Sequence, residues 1–419
     1  MFYGVPPASS FPLEMKSDHF IIHYGMRNPY GGKGRGCEGV RDNTLVLTYL
    51  EALERLYDIM TEEPWSRPPP IVDVGKRTHV FAHDSGAYTA DDPFADTSPE
   101  WLGRSVPFIV LPCRSDETTT QAELQRAAAE AVHEGTHVFN YTNRPYDSLT
   151  SRNWEWFDEA FAVFMETMVV AGNPDYIRFL MNWVDMPEVP LDHPSAKYLA
   201  GMFVRYLSKR LGNRWVNDVW VKSVEREDPL EAMQRLLPGG MTLVSPDPTV
   251  QDLFASGYCM DPYFLWDHES KGLATDVFAR YGERAISESC VLRPGGKPWT
   301  VKREVLDHLA CRYYRIYFKG NISQVTITLM MRNVGTAGPL KAEAAIVTAE
   351  RRRKDLRTLQ PVPTPQPGQN HQLSTTLDNL VADDVDHLVL VVANCGKRRD
   401  REDDRAHDDA IEFNLEVSS

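Results

Sequence analysis

The texture of this chain changes near Arg293, and that change limits the fold more than any other feature. In the stretch from 120 up to it, apolar residues recur mainly at the three- and four-residue spacing of helices with one buried face. After it they alternate, as in strands with one buried face. The segment PGGKPW, starting at Pro294, marks the break. Beyond it the spans 312–319, 324–330, 341–348, 387–393 and 410–417 read as strands, separated by linkers that include the Pro-rich stretch 360–369. Short strands at this spacing predict a small β-sandwich, and the whole chain reads as α+β.

The N-terminal part is mixed. Residues 18–24 (DHFIIHY) read as a strand, and 42–60 as a helix with Leu45, Leu47, Leu50, Leu53 and Leu56 at helical spacing, stopped by Pro68, Pro69 and Pro70. Residues 71–83 form a further strand with a turn at Gly75. Residues 105–111 form another, and its Pro107 suits a sheet edge because proline cannot donate to the ladder. Three helices follow: 120–141, capped by Thr120 and Glu123; 153–170, closing at Gly172; and 194–211, opened by Pro194 and closed by Gly212. Helical pattern continues to about residue 288, including 273–281. The expected organisation is a β-rich part over 1–115, a helical part over 116–290 and the sandwich over 291–419.

Charge and cysteine usage narrow the function. Lys and Arg number 45 against 59 Asp and Glu, a formal charge of −14, which repels phosphate backbones and anionic lipid heads, so neither nucleic acid nor a membrane surface is an expected partner. The longest apolar runs, such as 388–393, are too short to span a bilayer. As written, the start lacks a secretory pattern, so a cytoplasmic location is expected and a secreted mature form stays open. None of the six cysteines forms a CxxC pair, which argues against a zinc ribbon or a thioredoxin-type site.

The segment 131–137, AVHEGTH, contains H-E-x-x-H on the first capped helix. Residues four apart share a helix face, so His133 and His137 can hold one metal ion, and Glu134 can take a proton from metal-bound water. The bland alternative is two satisfied histidines on an ordinary helix. A catalytic zinc centre needs a third protein ligand. No histidine extension follows His137, and the next helix, NWEWFDEAFAVFME, offers Glu155, Asp158, Glu159 and Glu166. Some of these acids could equally form a solvated face.

HEGTH followed by WFDEAFAVFME resembles the gluzincin metallopeptidases, the superfamily of aminopeptidase N, leukotriene hydrolase and thermolysin. The resemblance spans roughly residues 18–212. It implies Zn2+ as cofactor, His133, His137 and Glu159 as ligands, Glu134 as general base, and a peptide or protein substrate. The gap of 22 positions between His137 and Glu159 (159 − 137) is a few longer than in the aminopeptidase branch, and Asp158 stands where that branch has Asn. The stretch 197–207, KYLAGMFVRYL, is similar to the family's Y-x-x-G segment and implies that Tyr198, with Gly201 beside it, stabilises the oxyanion; His193 is the rival for that role. The strand VPFIVLPC stands where the branch carries its substrate-binding edge, but the G-A-M-E-N exopeptidase signature is missing, which speaks against an aminopeptidase. Two other classes remain: a zinc hydrolase of small non-peptide molecules, and a binding protein with a structural metal. The loop GGKGRG at 31–36 lacks the Ser or Thr of a phosphate loop. His19 and His23, the run 351–354 and the mixed-charge loop 397–409 read as packing or solvated features.

Overall fold

A computed structural model describes residues 11–25, 43–69, 77–83, 88–90, 107–112, 120–142, 152–171, 179, 182, 185–224, 228–237, 286–307, 309–332, 340–348, 353–361, 371–380, 385–394 and 410–419. The expected helix at 273–281, the loops 31–36 and 397–409, and the stops at Gly172 and Gly75 lie outside these residues. The chain divides into two compact units. One comprises Met1–Arg178 with Ser208–Ala232, the other Phe179–Leu207 with Met233–Ser419. The protein is α+β, with several sheets and a β-rich C-terminal part.

The first unit holds a mixed sheet of β1 (Leu13–Lys16), β2 (Phe20–Tyr24), β3 (Thr78–His83), β4 (Tyr88–Ala90) and β5 (Phe108–Pro112), in the order β1-β2-β3-β5-β4. The β2–β3 and β3–β5 pairs are parallel, and the β1–β2 and β5–β4 pairs are antiparallel. Every residue of β2 is buried, as are the first four of β5. Strands covered on both faces read as unbroken apolar runs, which is why FIIHY and FIVL do not alternate. β5 is therefore not an edge, contrary to the expectation from Pro107. Pro107 lies just ahead of the strand and Pro112 at its last position, so neither missing N–H falls in the paired centre.

α1 (Asn43–Thr61) lies against β2, and α2 (Gln121–Thr142) against β5 and β4. Both pack on α3 (Arg152–Val169). The buried positions of α1, including Leu45, Tyr49, Leu53, Leu56 and Met60, follow the 3–4 spacing of a single face. The start of α2 is closed reciprocally: the Thr120 amide donates to Glu123 Oε2 at 2.7 Å, and the Glu123 amide donates to Thr120 Oγ1 at 3.3 Å. α3 is buried nearly all round, with Trp154, Trp156, Phe157, Phe161 and Phe164 at 3% exposure or less. Such a helix can carry polar groups only where partners meet them.

The second unit begins with a segment that the sequence grouped with the helical part. Its expected helix from Pro194 is a short 3-10 turn, Pro194–Ala196, followed by further turns. Regular helix starts only at α4 (Gly201–Leu211). α5 (Asn213–Val224), which belongs to the first unit, and α6 (Pro229–Leu236), which runs across the boundary at Ala232, follow in the chain. Residues 187–191 are tied to the C-terminal strands: Cys311 N donates to Pro187 O at 2.9 Å, and Leu191 N to Leu309 O at 3.1 Å.

The C-terminal strands form two five-stranded sheets. One orders β11 (Arg353–Thr358), β10 (Leu340–Thr348), β14 (Val385–Asn394), β8 (Ala310–Phe318) and β6 (Ile286–Leu292). The other orders β12 (Gln360–Pro361), β13 (His371–Asp378), β9 (Gln324–Arg332), β15 (Ile411–Ser418) and β7 (Trp299–Leu306). Both contribute to one core, for example Ile316, Leu390 and Val392 from the first and Ile327, Leu329, Phe413 and Leu415 from the second. In β15 burial alternates strictly, with Ile411, Phe413, Leu415 and Val417 inward. Arg353 and Lys354, whose run 351–354 the sequence suggests is a solvated turn, open β11 instead.

Candidate metal centre

The centre is built on α2 and α3. His133 and His137 lie one turn apart on α2, and Glu159 faces them from α3. One donor atom from each of the three falls within 4.8 Å of the others. His133 Nε2 is 3.0 Å from Glu159 Oε2 and 3.3 Å from His137 Nε2, and His137 Nε2 is 3.5 Å from the same carboxylate oxygen. Two imidazole nitrogens and one carboxylate oxygen this close to a common point could hold a metal ion.

The outer nitrogens of both rings are held as well. His133 Nδ1–H donates to Glu166 Oε1 at 2.8 Å, and His137 Nδ1–H donates to Asp158 Oδ2 at 3.0 Å. Asp158 Oδ1 accepts from Asn140 Nδ2 at 2.7 Å. With each Nδ1 committed as a donor to a carboxylate, each Nε2 is the atom directed at the common point, the arrangement that orients metal-ligating histidines. Asp158 and Glu166 are themselves buried, which is tolerable because both accept charge-assisted hydrogen bonds.

Electrostatics follow from this packing. Burial opposes a charge on His133, but the hydrogen bonds to Glu159 and Glu166 outweigh it and its pKa is raised to about 9. Burial also opposes a charged His137, and Asp158 with Glu159 overcomes it, so its pKa too lies well above the ordinary value. Burial raises Glu159, but its bonds to both histidines prevail and hold its carboxyl below the usual range. Three carboxylates around two imidazoles make a site that attracts positive charge, whether protons or a cation.

Glu134 follows His133 on α2 and is buried at 8% exposure. Gly135 comes next, and a Cβ there would meet Leu56 Cδ2 at 2.7 Å and Leu53 Cδ2 at 2.8 Å. Its bare backbone lets α1 press closely on α2 at the level of the ligands. Tyr198 belongs to the other unit. It sits in the turn before α4, 37% exposed, with its ring stacked on Phe179 at 5.8 Å. Glu155, one of the four acids offered by α3, is exposed. Sequence reasoning assigned no role to Asn140 and did not foresee that Asp158 would orient His137. The signal for Asn140 was its position three residues after His137, on the same helix face. His19 and His23 do pack: His19 stacks on Tyr57 at 3.5 Å, and buried His23 meets His79 at 2.9 Å.

These elements define a mixed α/β protein with a His2Glu centre on two packed helices. Among known families, a model described as "Family of unknown function (DUF6055)" matches residues 118–242, a span that includes both helices. No curated protein matches the chain. Among solved structures, the chain is similar to the pre-peptidase C-terminal domain of a collagenase from Bacillus anthracis, at 10% identity over 32% of this chain and 96% of that one, with a TM-score of 0.19. It is also similar to the VP2 subviral particle of infectious bursal disease virus, at 11% identity over 29% of this chain and 32% of that one, TM-score 0.19. A third likeness is to PliG, a periplasmic lysozyme inhibitor of Aeromonas hydrophila, at 13% identity over 31% and 96%, TM-score 0.15. At these scores none of the three carries an assignment of fold or function.

Proposed function

We propose that this protein is a zinc-dependent hydrolase of the gluzincin kind, a metallopeptidase that cleaves peptide bonds. The observation that carries the reading is the convergence of His133, His137 and Glu159 with both outer imidazole nitrogens already held by Asp158 and Glu166. A structural pair of histidines needs no such pre-orientation, whereas a catalytic metal centre does. Three protein ligands also leave a fourth position for water, as catalytic zinc requires. When bound, zinc would supply Lewis acidity toward water and the scissile carbonyl.

The chain's own residues then take the following roles. His133 and His137 present Nε2, and Glu159 presents its carboxylate, from two helices that pack directly on each other. Glu134, one residue beyond His133, accepts the proton of the attacking water and passes it to the leaving amine. Tyr198 as the oxyanion donor rests on the resemblance of 197–207 to the family segment.

The test is Glu134→Gln. The variant should retain stoichiometric zinc while cleavage of a peptide library falls by about 10²–10⁴-fold, the usual contribution of a general base. Full activity in Glu134→Gln would overturn the assignment, and stoichiometric zinc without peptide cleavage in the native protein would transfer the centre to a small-molecule hydrolase.

A further inference from the structure

Arg67 is a buried cation with no carboxylate among the described residues bonded to it. It lies in the segment after α1, in the first unit, at 4% exposure. Its backbone is fixed: Arg67 N donates to Met60 O at 2.7 Å, and Asn217 Nδ2 donates to both Pro64 O and Trp65 O at 3.1 Å. The guanidinium carbon stands 3.6 Å from the ring centroid of Trp220 and 5.7 Å from that of Phe161. Two of its nitrogens, Nε and one Nη, are buried without a hydrogen-bond partner among the described residues. An aromatic face offsets only part of the cost of burying a guanidinium, so a buried Arg of this kind calls for a further reason.

The reason lies on α3. Phe161 is three residues beyond Asp158, so the two share a helix face, and the guanidinium that contacts one stands on the side of the other. Burial pulls the guanidinium down to about 9, and the charge that works against this is Asp158. Asp158 in turn has its oxygens occupied by His137 and Asn140. Each carboxylate oxygen has a second lone pair, and the two unmet Arg67 donors match that spare capacity through one buried water. We infer that Arg67 is a positioning residue of the metal centre, acting through Asp158 to hold the His137 ring in its ligating orientation.

This inference rests on the metal-centre reading, and its test separates the two. Zinc affinity is measured by chelator competition for the native chain, Arg67→Met, Arg67→Gln, Arg67→Lys, Asp158→Asn and the Arg67→Met/Asp158→Asn double variant. The visible absorption of the cobalt-loaded forms is recorded beside it as a readout of ligand geometry. Arg67→Met and Arg67→Gln should each weaken zinc binding roughly threefold to tenfold and shift the cobalt bands, a fraction of the loss typical for an outer carboxylate itself. Arg67→Lys, which keeps the charge, should stay within about twofold of native. In the Asp158→Asn background the Arg67→Met effect should shrink below about twofold, since coupled residues are not additive. Equal weakening in both backgrounds, or no weakening at all, would overturn the inference even while zinc binding by the native chain upholds the centre. Absence of zinc from the native chain would remove the parent reading and this role together. Should Arg67→Met not fold, Arg67→Gln, which retains hydrogen-bond donors, carries the same comparison.

Discussion

At the scale of single residues, the centre was legible where chemistry is written in fixed spacing. His133 and His137 four apart, with Glu134 between them, are visible in any helical reading. Helix period alone could not choose among the four acids on α3, since it cannot tell Glu155, now exposed, from Glu166, now bonded to His133; only the resemblance of WFDEAFA singled out Glu159, which the structure groups with both histidines. The outer carboxylates give a first prediction. Asp158→Asn and Glu166→Gln should each reduce zinc affinity by about 10–100-fold, read by chelator competition. Gly135 gives a second. Alanine would gain about 1 kcal/mol of helix propensity, but its Cβ would press on Leu53 and Leu56, both fully buried. Overpacking of that kind costs about 1–3 kcal/mol, so Gly135→Ala should be destabilising by about 1 kcal/mol in urea unfolding.

At the scale of elements, α2 was readable from its capping box and the C-terminal strands from their alternation. The error at β5 has a specific cause: a proline at each end of a strand resembles an edge strand, whereas pairing is decided by the residues between. The helix expected from Pro194 is only a 3-10 turn there, and the residues just before it, 187–191, are held by Leu309 and Cys311, contacts too distant in sequence to read. α1 is tied to the strand β2 region by Glu54, whose carboxylate accepts from the His19 amide at 2.8 Å and from its ring at 2.6 Å. Burial raises the Glu54 carboxyl, but bonds from Ser17 and His19 outweigh that and lower its pKa. A depressed carboxylate contributes stability that is present above its unfolded value, about 4.3, and lost as pH falls through the lower folded value. Glu54→Gln should therefore lower the melting temperature at pH 7, and its gap from the native chain should close as pH falls below about 4, followed by circular dichroism.

At the scale of the whole molecule, the chain divides into two compact units, and among the described residues the candidate centre lies in the first. No helix among the described residues is long and apolar enough to cross a membrane. Removing the metal should act on one unit. At a hundredfold excess over its dissociation constant a ligand contributes about 2.7 kcal/mol to the state that binds it. A chelator should thus lower one calorimetric transition by roughly 5–10 °C and leave the sandwich transition in place; a shift of both would show that the units unfold as one.

The chain enters the second unit at Phe179, returns to the first at Ser208 and leaves it again after Ala232. During synthesis, the ribosome delivers Arg67 and all three ligands well before Trp220, the ring that receives the guanidinium. A nascent chain stopped at residue 178 would hold His133, His137 and Glu159 yet leave Arg67 without Trp220 beneath it and Pro64 and Trp65 without Asn217. The order of translation thus delivers the three candidate ligands first and the aromatic and amide partners of the Arg67 segment last.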